Sequence, residues 1–332
     1  MVENRCGGTV QMLGAVLAVV VVLVLAACSP ASTDYRAEAD KLEKEISAMP
    51  GVQRFELSVA SDFFLGDNYF RLTAAMPEAT EPQIGQVIAR IDESLGTFGG
   101  LRDRSFEFVV GDRARVGSPK TLAAGPFLDA VRHARHYSAS MPEGTISWEL
   151  RPTPRISLGA QRTGTAEPLA AIRAMIGPTT TAEVSIDTAE HGRWNVDLPL
   201  SVERETELRR QLPENPWATE FVVIKDGAIV QLAVRNTTPS AVDPDLAYTQ
   251  LSDTVRTLGP TTTHPLLLNW SWFFAYTEGK RNEGSVHAAG CHYTIPTADA
   301  PQPEPSSTGC ARSSTPAGRT WTPQNTRGPG IA

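Results

Sequence analysis

Cysteine is scarce in this chain: four in 332 residues. That excludes a disulfide-dense secreted scaffold. Aromatic residues are also few, at 7%. Catalytic signatures are missing. There is no Gly-x-Ser-x-Gly elbow, no Ser-x-x-Lys and no His-Glu-x-x-His, so nucleophilic and zinc-protease chemistry have no foothold. Gly111-Asp-Arg-Ala-Arg-Val-Gly-Ser118 lacks the Gly-Lys-Ser/Thr ending of a phosphate loop and reads as a turn with a solvated loop. No Cys-x-x-Cys or His-x-x-x-His pair offers a metal frame. No catalytic residue, cofactor or metal is therefore assigned. Positive charge is in deficit, with a net charge of −7, which argues against nucleic acid as a partner.

Met12 to Ala27 carry no charge and are almost entirely Val, Leu and Ala. Arg5 and the amino terminus give a weakly positive start, opposed by Glu3. A positive start, a short apolar core and small residues before a break describe an export signal. The run falls short of the roughly 20 residues of a membrane span.

Leu25-Ala26-Ala27-Cys28 closes that run. It resembles the lipobox of bacterial lipoproteins, with Leu, two small residues and then Cys. The resemblance covers the first 28 residues. It implies cleavage between Ala27 and Cys28 and a diacylglyceryl group, of the palmitate type, on the Cys28 thiol. Two acyl chains hold a protein stably on a membrane and one does not. The implied partner is membrane lipid, and the implied location is the extracytoplasmic face of the cell membrane. Residues 28–34 form a short polar tether, with a reach of about 20 Å. Once the signal and Cys28 are set aside, Cys291 and Cys310 remain as an even pair in an oxidising compartment. A bridge between them closes a loop worth about 3 kcal/mol.

The body reads as α+β. Tyr35, Ala39, Leu42, Ile46 and Met49 form one helical stripe, stopped by Pro50-Gly51. Phe55, Leu57 and Val59 alternate as a strand, and Phe70, Leu72 and Ala74 make its return. Thr80-Glu-Pro-Gln83 opens a second helix as a capping box, and Phe106, Phe108 and Val110 form a third strand. Ile176-Gly-Pro-Thr-Thr-Thr181 and Leu258-Gly-Pro-Thr-Thr-Thr263 nearly coincide. With the recurring helix and hairpin pattern, they point to a repeat of about 82 residues. The α-β-β-α-β order resembles ferredoxin-like sandwiches and the BON modules of bacterial envelope proteins. Each implies helices packed on an antiparallel sheet. The expected organisation is a signal peptide at 1–27, a tether at 28–34, three α+β repeats at 35–118, 119–190 and 191–295, and a tail at 296–332. That tail has seven prolines among Ser, Thr and Gly, a composition that cannot offset its ordering entropy.

Trp270, Trp272 and Tyr276 share one strand face with Leu266, Leu268 and Phe274. Such a face either stacks on a sugar or apolar ligand or packs under helices, and burial is the commoner use. His287, Cys291 and His292 cluster without paired metal-ligand spacing, so a disulfide explains Cys291 better than zinc. His133 and His136 read as a helix-surface pair beside Arg132 and Arg135. The reading is a lipid-anchored extracytoplasmic protein, non-catalytic, that binds or scaffolds an envelope protein or cell-wall partner. Its rivals are an envelope hydrolase with a site assembled between repeats and a small-molecule or lipid carrier.

Overall fold

The computed structural model describes residues 35–289, except 63–66, 100, 102, 163, 189–191, 214–215, 239–242 and 274–280. Helix, strand, strand is the recurring order. The first unit is α1 (Arg36–Ser47), β1 (Arg54–Asp62) and β2 (Asp67–Ala75). The second is α2 (Glu81–Ser94), β3 (Asp103–Gly111) and β4 (Ala114–Ser118). The third is α3 (Ala124–Ser140), β5 (Thr145–Glu149) and β6 (Arg155–Gln161). The fourth is α4 (Ala166–Ile176), β7 (Ala182–Thr188) and β8 (Gly192–Leu198). The fifth is α5 (Val202–Gln211), β9 (Trp217–Lys225) and β10 (Ala228–Asn236). The sixth is α6 (Pro244–Leu258), β11 (Leu266–Phe273) and β12 (Arg281–Ala288).

All twelve strands join one sheet, in the order in which they occur along the chain. Strands of the same unit pair antiparallel, as tight turns require. Strands of successive units pair parallel, because a helix carries the chain back between them. This corrects the expected fold in two respects. The sheet is mixed rather than antiparallel, and it is continuous rather than split into three sandwiches. A ferredoxin-like sheet interleaves its strands, whereas this one adds each hairpin beside the last. Grouping by α-β-β-α-β also missed β4 and β12. β4 reads Ala-Arg-Val-Gly-Ser, too polar and too short to announce itself. The repeat is half the expected length, about 42 residues per unit, so the two Gly-Pro-Thr-Thr-Thr stretches stand two units apart. The expected boundary at 190/191 falls between β7 and β8, which pair over seven residues.

One face of the sheet is covered by helices. Phe70, Leu72, Ala74, Phe106, Phe108, Ile156, Leu158, Val184, Ile186, Val196, Val222 and Ile224 are all buried there. Each helix buries a stripe against them, such as Ile84, Val87, Ile88 and Ile91 of α2. Each such side chain contributes about 1.5–3 kcal/mol relative to exposure. Helix ends are set locally. The Gln83 Oε1 accepts from the Thr80 N–H at 2.8 Å. The Asp243 carboxylate accepts from the Asp245 N–H at 2.9 Å, one residue past the proline that opens α6. Gly259 ends α6 at φ 56°, a left-handed conformation that glycine adopts without strain.

Neighbouring helices meet through ion pairs. Arg90 of α2 pairs with Glu45 of α1, and Arg132 of α3 reaches Glu81 of α2 at 3.1 Å. Between α4 and α5 the contact is a buried triad. Glu205 is joined by Arg173 and Arg209. Arg209 also donates to the Thr165 hydroxyl at 2.7 Å and lies 4.3 Å above the Trp194 ring.

Candidate polar trough on the open sheet face

Strand alternation decides what faces away from the helices. The triplets Ile146-Ser147-Trp148, Ile156-Ser157-Leu158, Val184-Ser185-Ile186 and Trp194-Asn195-Val196 each bury their outer members. Their middle residues point the other way. The register then aligns them. Ser147 stands opposite Ser157, Ser157 opposite Ser185, and Ser185 opposite Asn195. The same rung extends through Arg115, Val109, Ala75 and Arg54 in one direction. In the other direction it passes through Val223, Gln231, Leu267 and His287. One unbroken rung thus crosses all twelve strands.

Ion pairs flank the serine stretch on both sides. Arg155 donates to Glu183 at 2.9 Å, and Arg193 to Asp187 at 2.9 Å. Arg115 reaches Glu107 at 3.0 Å. The floor between them is low, since Ser147, Ser157, Gly159 and Ser185 are small. The result is an open trough. One stretch of 530 Å³ lies over Ser147, Ser157, Gly159 and Ser185. A stretch of 800 Å³ continues it over Ser185, Asn195, Val223, Gln231 and Leu267. Asp197 lines this second stretch, where burial pushes its carboxyl above the usual range despite Lys225.

Chemically, the trough offers hydroxyls, an amide and paired charges over Ser147 to Asn195, and apolar side chains at Phe221, Val223, Val230 and Leu267. Arg115, Arg155 and Arg193 already face carboxylates, which offsets their charge toward a polyanion. Among the described residues, no three His, Cys, Asp or Glu side chains converge as metal ligands.

Ala27, Cys28, Tyr276, Cys291 and Cys310 lie outside the described residues. Trp272 belongs to β11, and its side chain is likewise outside them. Trp270 is half-buried against the core on the helix side, and a Cβ on Gly284 would come within 2.4 Å of its ring. The ring therefore fills the space above that glycine on the neighbouring strand. His133 stacks on Trp148 of β5, with centroids 5.3 Å apart and planes at 32°. Burial lowers its pKa. His287 stands opposite Leu267 at the end of the long rung.

Sequence reasoning missed the serine rung. The signal was present as the repeated apolar-Ser-apolar triplet, but only the register shows that three such serines line up. No family model, no curated protein and no solved structure matches this chain. No helix among the described residues is long and apolar enough to cross a membrane.

Proposed function

We propose that this chain is a bacterial lipoprotein, anchored by lipid on Cys28 at the extracytoplasmic face of the cell membrane. Its body is a non-catalytic binding or scaffold module. The observation that carries the binding role is the polar trough with its self-compensated charges. The partner it suits is an uncharged, hydroxyl- and amide-bearing polymer of the envelope, such as a cell-wall glycan strand. Small serines let such a chain approach the backbone, and paired Arg and carboxylate groups offer donors and acceptors side by side.

Two measurements test this. Intact mass spectrometry of protein extracted from its own membrane should give a chain starting at Cys28 with acyl chains added. A chain that retains residues 1–27 without lipid refutes the anchor. Sedimentation with purified cell-wall material should carry the protein down. Ser157→Trp, which fills the trough, should abolish that, while Asp253→Asn on the outer helix surface should not. Wall binding that ignores Ser157→Trp, or no wall binding at all, refutes the trough as the site.

A further inference from the structure

The two ends of the sheet are complementary. At every internal joint, the second strand of one unit pairs parallel with the first strand of the next. Among the described residues, β1 and β12 each have one neighbouring strand. β1 is a first strand with its helix α1 already packed over it, and β12 is a second strand. Each edge is what the other would meet at a further joint. We propose that a second copy of this chain docks there, β12 of one copy pairing parallel with β1 of the next, so that its first unit serves as a seventh.

Burial at the edges supports this occupant. At the β2–β3 and β6–β7 joints the helix-side residues are sealed: Leu72 is 2% exposed, Phe106 1%, Ile156 0% and Val184 1%. Beyond Phe55 of β1, which is 5% exposed, four helix-side apolar side chains at the edges are only partly covered. They are Leu57 and Val59 on β1, and Val286 and Ala288 on β12. A neighbouring strand and its helix would seal both pairs together.

The last helix shows the same incompleteness. Ala247 and Leu251 of α6 face the sheet. Gln250 accepts a hydrogen bond from Trp217 of β9, on the α5 side. At about 100° per residue, Tyr248 lies about 160° around the helix from Gln250. It therefore points away from α5 and is 59% exposed, while Leu246, on the α5 flank, is 55% exposed. The Tyr248 flank is the one that α1 of a second copy would occupy. An edge strand with free N–H and C=O groups is a template for such pairing. A joint between unlike surfaces cannot close on itself in a pair, so it makes a growing row rather than a fixed dimer. The joint depends on the sheet alone and not on the lipid anchor or the trough, so its test is separate from theirs.

Sedimentation velocity of the full chain in detergent micelles, over a hundredfold range of concentration, reads the assembly. The expected mass rises with concentration without a fixed end point. Leu57→Lys blocks the β1 edge and Val286→Lys blocks the β12 edge, each by placing a charge at the joint. Each variant alone should stay monomeric, and an equimolar mixture should form a dimer through the one joint left intact. Tyr248→Glu, on an exposed position, should raise the concentration needed for assembly at least tenfold without changing the thermal midpoint. Circular dichroism confirms that the lysine variants fold. A single monomeric species at all concentrations overturns the proposal. So does a closed dimer, or a mixture of the two lysine variants that remains monomeric.

Discussion

Replacing Glu205 by Gln tests whether the triad between α4 and α5 holds the helix layer together. The Glu205 side chain is 6% exposed, Arg173 13% and Arg209 29%. One carboxylate therefore serves two guanidinium groups largely out of water. The Arg173 Nε is already buried without a hydrogen-bond partner. Removing the charge leaves that guanidinium uncompensated. Breaking a buried pair from one side costs about 3–5 kcal/mol. Arg209 keeps Thr165 and the Trp194 face, and it is partly solvated, so the lower end applies, about 3 kcal/mol. For a body of this size that lowers Tm by about 6–12 °C. Urea unfolding should show a lower midpoint with an unchanged slope. The companion variant Arg173→Met, Glu205→Leu, Arg209→Met removes all three charges and should lie within about 1.5 kcal/mol of the parent. A Glu205→Gln protein within about 1 kcal/mol of the parent would refute the reasoning, as would a triple variant less stable than the single one.

His133 should make stability depend on pH. Its burial over Trp148 disfavours the charged ring, with Asp129 opposing and Arg132 and His136 adding to the shift. The folded pKa lies below the ordinary value of 6.5. The unfolded chain therefore takes up the proton first, and stability is complete above 6.5 and lost as pH falls from there through the folded value. The urea midpoint should drop across that window, and His133→Phe should flatten the drop. An identical slope in both proteins counts against this account. Gly284→Ala tests the position of Trp270. The new Cβ would meet the indole at 2.4 Å, so the ring must leave. A red-shifted emission, absent in a Trp270→Phe background, is expected with a loss of about 1–3 kcal/mol. Unshifted emission would mean that the ring does not rest on this glycine.

Local elements were legible because their signals are local. The α1 stripe, the capping box that opens α2 and the strands at 55–59, 70–74 and 106–110 occur where the residues place them. What could not be read was partnership. A helix between two strands is compatible with a closed sandwich or with a sheet that keeps growing, and the same apolar stripes serve both. Leu72 beside Phe106 in a parallel pair leaves no mark in either segment. The face of Trp270 was legible as shared with Leu266 and Leu268, and all three pack against the helix layer. The triad was hidden for another reason. Arg173 and Glu205 lie on separate helices, and only the stacking of units brings them together.

An all-parallel sheet is ordinarily covered on both faces, whereas a mixed one need not be. Here every crossover helix lies on one side, and the hairpins need no cover on the other. The open face is polar over its middle strands, at Ser147, Ser157, Ser185 and Asn195, and turns apolar at Val223 and Leu267. Twelve strands at about 4.8 Å spacing extend it over roughly 50 Å. If Cys28 holds the α1 end to lipid, a single copy has its β12 edge free to stand away from the membrane. In a head-to-tail row each copy brings its own tether, at the same end of every sheet. With the proposed anchor on Cys28, anchors would recur once per molecule, holding the row along the membrane with its open faces joined into one extended surface.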